Sequence, residues 1–160
     1  VPAPAGVEIR LYRDSDYATV TSFKCADPRR PWTREAELVI RKAPDDIRSP
    51  DDKAQIVVAV DDGRIVGAIV FGIDPQHQMT RSIFTIGVVR DRRREHIGIS
   101  LKRAALAELV ATGYVGPVYS QVHRYNTPMR ELNDQLLAET TKDPDAGKYL
   151  LTVVRPAPTP

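Results

Sequence analysis

Two apolar runs separated by a four-residue break restrict the folds open to this chain. Residues 54–60 are rich in β-branched side chains, and residues 65–73 form a second run. Asp61-Asp62-Gly63-Arg64 between them is a tight-hairpin signal. The fold must therefore be built around an antiparallel strand pair. At roughly 100–200 residues per domain, a chain of 160 residues forms one domain around that pair. A domain of this size buries about 70% of the surface its unfolded chain exposes, so it needs no staples. The single cysteine, Cys25, excludes an intramolecular disulfide framework. It fits a reducing compartment, and a cytoplasmic location is expected. No apolar run approaches the roughly 18 residues of a membrane span. The first six residues lack the basic-then-apolar order of a secretion signal.

The other elements follow from local pattern. Residues 7–12 alternate apolar and polar at period two, as a strand does. Asp14 and Ser15 can cap a helix running to about Cys25, which Asp27-Pro28-Arg29-Arg30-Pro31 breaks. Thr33 can cap a second helix over 34–42, where Glu35 and Glu37 complement the dipole. Trp32 then falls in the loop between the two helices. Residues 44–62 hold Pro44, Pro50 and six aspartates against Arg48 and Lys53, and read as an exposed acidic loop running into a strand. Residues 75–79 read as a polar loop. Residues 82–89 form a strand with Gly87 inside it, a sign of a bulge or a close backbone approach. The strongest helical pattern covers 97–112, with apolar residues at 97, 101, 104, 105 and 109 and Gly113 as its stop. A strand over 118–122 follows. A helix from 127 to about 139 takes Asn126 as its cap and Pro128 in its first turn. Residues 149–154 make the last strand. The order β-α-α-β-β-β-α-β-α-β predicts an α+β fold, with a central mixed, mostly antiparallel sheet flanked by helices. A single domain is expected over 7–154, with flexible termini at 1–6 and 155–160.

The net charge of +2 is unevenly spread. Residues 81–103 carry seven positive and two negative side chains, a net +5, so the remainder sums to −3. Such a field suits an anionic ligand near 90–103, or a solvated arginine-rich turn. The arginines lie between the strand ending at Val89 and the helix starting at Ile97. A helix start offers free N–H groups and the positive end of a dipole, and Gly98 in its first turn permits close approach. Strand, basic turn and helix together read as a pyrophosphate site. A nucleic-acid patch over Arg90-Asp91-Arg92-Arg93-Arg94 is disfavoured by 6% aromatic residues and by the absence of a stacking motif there. His77, His96 and His123 lack metal-ligand spacing, so no metal is expected. Cys25 reads as a structural thiol.

Arg93-Arg94-Glu95-His96-Ile97-Gly98 resembles the acyl-CoA-binding motif of the GNAT N-acyltransferase superfamily, Arg/Gln-x-x-Gly-x-Gly/Ala. Arg93 and Gly98 match, while His96 stands where the first glycine is usual and Arg94 is bulky. Val122-His123-Arg124-Tyr125-Asn126-Thr127-Pro128-Met129 and Leu132-Asn133 resemble the family's later strand-to-helix segment. Its closing Gly-Phe is replaced by Leu137-Ala138. The element order matches the family across about residues 7–154.

The resemblance implies acetyl-CoA as acyl donor, bound where two parallel strands splay, with Gly87 placed to be the bulge that opens them. Backbone groups near Val88 would hold the pantetheine and polarise the thioester carbonyl. The turn with Arg93, Arg94, His96, Gly98 and Ile99 would hold the pyrophosphate. Asn126 and Met129 would meet the pantetheine or acetyl region. The implied reaction is direct attack of a primary amine on the thioester in a ternary complex. Family bases and acids stand at the positions of Ser82, Gln121 and Asn133, none of which titrates near neutrality. His123, Tyr125, Tyr119 or a water relay are the remaining candidates, of which His123 and Tyr125 are taken as catalytic; a histidine's reference pKa is about 6.5. Trp32 can line the acceptor pocket or anchor its loop, and the acidic residues can draw in a cationic amine or simply be solvated. The acceptor can be a small molecule or a peptide amine, and homodimers are common in the family. The alternative is a CoA-binding sensor or interaction module of the same fold with little or no catalysis.

Overall fold

The structure is a computed structural model that describes residues 3–48, 54–73, 81–114, 116–136, 139–141 and 149–154. Strands β1 (Val7–Leu11), β2 (Ala54–Asp61), β3 (Arg64–Ile73) and β4 (Arg81–Val88) form an antiparallel meander. The β2–β3 turn has positive φ at Asp62 (49°) and Gly63 (74°), the backbone a two-residue hairpin requires. Strand β5 (Val118–His123) pairs parallel to β4, and β7 (Tyr149–Val154) and β6 (Glu139–Thr141) complete a sheet ordered β1-β2-β3-β4-β5-β7-β6. The α+β expectation is met. Strand β6 is an addition to it, because the helix expected to reach about 139 ends earlier.

The helices are α1 (Tyr17–Thr21), α2 (Pro31–Asp46), α3 (Ile97–Ala111) and α4 (Thr127–Gln135). Ala68 pairs with Gly87 and Gly67 with Val88, so Gly67 and Gly87 point to opposite faces. A Cβ on Gly87 would meet Cys25 and Ile40, whereas one on Gly67 would meet Leu101 and Ile97. Helix α2 therefore covers one face and α3 the other. Strands β2 and β3, covered on both sides, bury the near-continuous runs Ile56–Ala59 and Ile65–Gly72.

Several boundaries move for local reasons. The first helix is a single 3-10 turn, Asp14–Asp16, followed by the short α1. Asp16 rather than Asp14 does the capping, accepting the Arg13 N–H at 2.8 Å. Thr21 and Ser22 hydroxyls donate back to the Tyr17 and Ala18 carbonyls at 2.8 Å, competing with continuation of the helix. Helix α2 starts with Pro31 at its first position and places Trp32 and Thr33 inside, not before it. Thr33 acts from there: its hydroxyl accepts the Asp27 N–H at 2.7 Å and donates to the Arg30 carbonyl at 2.8 Å. Pro44, Asp45 and Asp46 form the last turn of α2 rather than an acidic loop, and Pro44 is buried. Residues 49–53, the loop 75–79 and Leu137-Ala138 lie outside the described residues.

Candidate active site

The parallel pairing of β4 with β5 covers only Arg81–Ile83 against Val118–Ser120. Beyond it the strands separate, and residues 84–88 of β4 carry no partner on that edge among the described residues. The bulge that accompanies the separation is at Phe84, since Val70 pairs with Thr85 and Phe71 with Ile83. Gly87 is thus not the bulge; it remains in register with Ala68. Its hydrogen serves packing instead: a Cβ there would lie 2.9 Å from both Cys25 Sγ and Ile40 Cδ1. Of the two meanings of a strand glycine, close approach applies here.

The gap is a cleft of about 930 Å³. Its walls are the free edge of β4, the turn before α3, the first turns of α3, the end of β5, α4 and the start of α2. Val88, Arg93, Arg94, His96, Gly98, Ile99, Asn126 and Met129 all line it, so the structure brings together the residues selected by motif. His123 lines it as well. Tyr125 does not: it is 70% exposed, and among the described residues its ring lies 5.6 Å from the His123 ring. The turn at 124–125 carries it outward from the cleft lining.

At the start of α3 the backbone is unusual. His96, the N-cap, has φ 62° and no side-chain capping bond, and Arg94 has φ 66°. Both sit in the left-handed region that glycine occupies most readily. The N–H groups of residues 97–99 have no acceptor within the helix, since the first helical bond runs from Ser100 N–H to the His96 carbonyl at 3.1 Å. Gly98 lets α4 come close: a Cβ there would be 3.1 Å from Leu132 Cδ1.

The basic cluster divides into two groups. Arg93 turns inward, donating to the Val88 carbonyl (3.2 Å) and the Cys25 carbonyl (2.6 Å), and burial lowers its pKa. It ties the α1–α2 loop to the end of β4. Arg92 bonds Asp61 and, at 2.7 Å, Glu95. Arg81 sits over the Tyr114 ring at 5.2 Å. Arg90 and Arg94 are exposed at the cleft and can face an anion. The sequence pattern could not separate these groups, because the partners of Arg93 among the described residues are backbone carbonyls.

Elsewhere in the cleft lining, Trp32 stacks on His123 with centroids 4.9 Å apart. His123 Nδ1 accepts the Tyr125 N–H at 3.3 Å, which puts the proton of the neutral ring on Nε2. Glu37 accepts from the Cys25 and Ala26 N–H groups (3.2 and 2.7 Å) and fixes the loop beside them, while Glu35 lines the cleft. Asp27 is buried, and its pKa is held low, first by the Arg29 N–H and then by the Arg29 side chain. Asn126 caps α4 by accepting the Met129 N–H at 3.4 Å. Cys25 is buried, and desolvation together with Glu37 pushes its thiol up to about 11, as a structural thiol requires.

One pair was missed in sequence. Lys102, 1% exposed, lies within α3 and donates from Nζ to Asn133 Oδ1 on α4, itself buried. Burial alone lowers Lys102 to about 7. In the sequence it stands next to Arg103, where a lysine reads as part of a charged surface face.

A mixed sheet that opens between two parallel strands onto an arginine-flanked helix start defines a GNAT-fold acetyltransferase domain. The sequence pattern of the Acetyltransferase (GNAT) family matches residues 17–136, and the chain belongs to that family. Solved structures share the fold at low identity. A putative GNAT-family acetyltransferase from Desulfovibrio desulfuricans aligns with TM-score 0.71 at 16% identity, over 94% of this chain and 99% of its own. PaiA N-acetyltransferase from Thermoplasma acidophilum, solved with coenzyme A, aligns with TM-score 0.68 at 15% identity, over 93% and 98%. The diaminobutyrate acetyltransferase EctA from Paenibacillus lautus, solved with L-2,4-diaminobutyric acid and coenzyme A, gives 0.60 at 18%, over 94% and 95%. No curated protein matches the sequence. No helix among the described residues is long and apolar enough to cross a membrane.

Proposed function

We propose that the chain is an acetyl-CoA-dependent N-acetyltransferase that moves the acetyl group to a primary amine by direct attack in a ternary complex. The observation that carries this is the separation of β4 from β5 after Ile83 and Ser120, which opens the cleft onto the start of α3. The residues present fit an acyl-CoA. Three helix-start N–H groups with Arg90 and Arg94 suit its phosphates, and the unpaired edge of β4 suits its amide-bearing arm. Bound there, acetyl-CoA supplies the activated acyl group. Backbone N–H groups near Val88 would stabilise charge on the carbonyl oxygen, and positioning does most of the remaining work. His123, stacked on Trp32 and accepting the Tyr125 N–H, serves acceptor binding. The amine proton then leaves through water. His123→Ala is therefore expected to raise the acceptor KM more than it lowers kcat.

Calorimetric titration with acetyl-CoA and with CoA tests the reading. Micromolar binding is expected, together with free CoA release when an amine acceptor is supplied. Binding without release across an amine library would favour a sensor or interaction module, and no binding at millimolar CoA would remove the cofactor assignment. Arg94→Ala should weaken CoA several-fold and leave a pantetheine fragment unaffected; equal losses on both would take Arg94 out of the phosphate site.

A further inference from the structure

We propose that Lys102, held by Asn133, is the acid that returns a proton to the sulfur of CoA as the acyl group departs. The inference rests on the acetyl-transfer reading above. It starts from an anomaly: a lysine is almost never fully buried without a partner charge, yet Lys102 is 1% exposed, and among the described residues it bonds a neutral amide. An apolar residue of the same length would fill the seam between α3 and α4 without removing an ammonium from water.

Its place gives the reason. Lys102 follows Gly98 by four residues, so it lies on the same face of α3, about 6 Å further along the axis. Gly98 stands at the phosphate end of the cleft, and Lys102 lines the same cleft one turn deeper. Asn133 faces it from α4 and holds Nζ through Oδ1, which leaves the other N–H bonds of the ammonium for a second acceptor. Arg94, His96, Glu131 and His123 share the cleft, and none of them shifts Lys102; desolvation is its sole perturbation among the described residues. A lysine brought to about 7 in this way gives up its proton near neutrality, as a general acid must.

The step balances. The acceptor nitrogen forms the C–N bond, the C–S bond breaks, and its electron pair goes to sulfur. One Lys102 N–H proton moves to that sulfur, giving the CoA thiol and a neutral lysine. The proton lost by the acceptor nitrogen goes to water, and the lysine regains one from water before the next turnover.

The test needs no acceptor. CoA is bound to the wild-type chain and to Lys102→Met, and the ultraviolet absorbance of its thiolate is followed against pH. Up to about pH 7, where Lys102 keeps its proton, the ammonium favours the thiolate, so a thiolate fraction should already appear there in the wild-type complex, about one pH unit or more below its onset in the Lys102→Met complex. Asn133→Ala keeps the lysine but frees its head, and should move the curve the same way by less. Coincident curves in all three complexes, with CoA bound in each, would overturn the proposal and leave the acetyl-transfer reading standing. Failure of the wild-type chain to bind CoA would overturn both.

Discussion

The two edges of β4 differ in almost every respect. Toward β3 its pairing runs the length of the strand, to Val88 opposite Gly67, and α2 packs on one face closely enough to demand a glycine. On that side of the sheet Asp16 meets Arg10 through two bonds, at 2.7 and 2.8 Å. Toward β5 the pairing stops after three residues. There the chain places two bulky residues in left-handed backbone, leaves a long helix without a side-chain cap, and buries a lysine against an amide. Helix α2 also lacks a side-chain cap, so the contrast rests on the left-handed backbone before α3 and on the buried lysine. These two features collect at the cleft, as expected when a site is retained at the expense of stability.

The largest way to break this contrast is Gly87→Val. Its Cβ would fall 2.9 Å from two core atoms held by α2 and its preceding loop, so a loss of about 3 kcal/mol is expected in urea unfolding. A loss under about 1 kcal/mol would mean that the closed side yields as readily as the open one. Next is Asp16→Ala, which strands the Arg10 guanidinium in a part-buried site and should remove roughly 2–3 kcal/mol at pH 7. Asp16 is held below its ordinary pKa first by the Arg10 hydrogen bond. Its contribution is therefore present above the unfolded value, about 3.9, and lost as pH falls through the lower folded one. The gap between wild type and variant should close only at acid pH. A gap that stays constant down to acid unfolding would show that the pair contributes through packing.

The closed side was the more legible in sequence. Period-two alternation, the Asp-Gly turn and β-branched runs are all local signals, and they place β1 to β5 within a residue or so. The site was legible as a strand–turn–helix motif, whose members do line one cleft. What escaped were matters of partnership across the chain. The sequence shows five arginines from 81 to 94 but not that Arg93 spends its donors on carbonyls 5 and 68 residues away. It shows Asn133 as a missing acid but not that Lys102, 31 residues earlier, reaches it. It shows a glycine in β4 but not whether a bulge or a neighbour requires it, and here the bulge fell three residues earlier, at Phe84.

Lys102→Met sharpens the contrast from the open side, because there the apolar residue should be the more stable one. At pH 6 the lysine is charged in both states, and its burial is fully opposed; a gain of about 1–3 kcal/mol is expected for the variant. The native lysine loses its proton near 7, the unfolded one near 10.5. Between those values the unfolded chain binds the extra proton, so wild-type stability rises with pH and the advantage of the variant shrinks. A variant less stable than wild type at pH 6 would place Lys102 among the structural supports of the α3–α4 seam.

The smallest effect concerns the backbone before α3. His96 holds φ 62° with no capping bond in return, a conformation that disfavours a side chain by about 1–2 kcal/mol. Glycine removes that strain but gives the unfolded chain more freedom, which takes back about 0.5–1 kcal/mol. His96→Gly should therefore stabilise the chain by about 0.5 kcal/mol, a rise in urea midpoint at unchanged slope. Two other results are informative. A loss of stability would mean that the histidine ring supports the turn through contacts that outweigh the strain. A gain in stability accompanied by weaker CoA binding would mean that the strained turn is held in shape for its ligand by the stiffness of a side chain in the left-handed region.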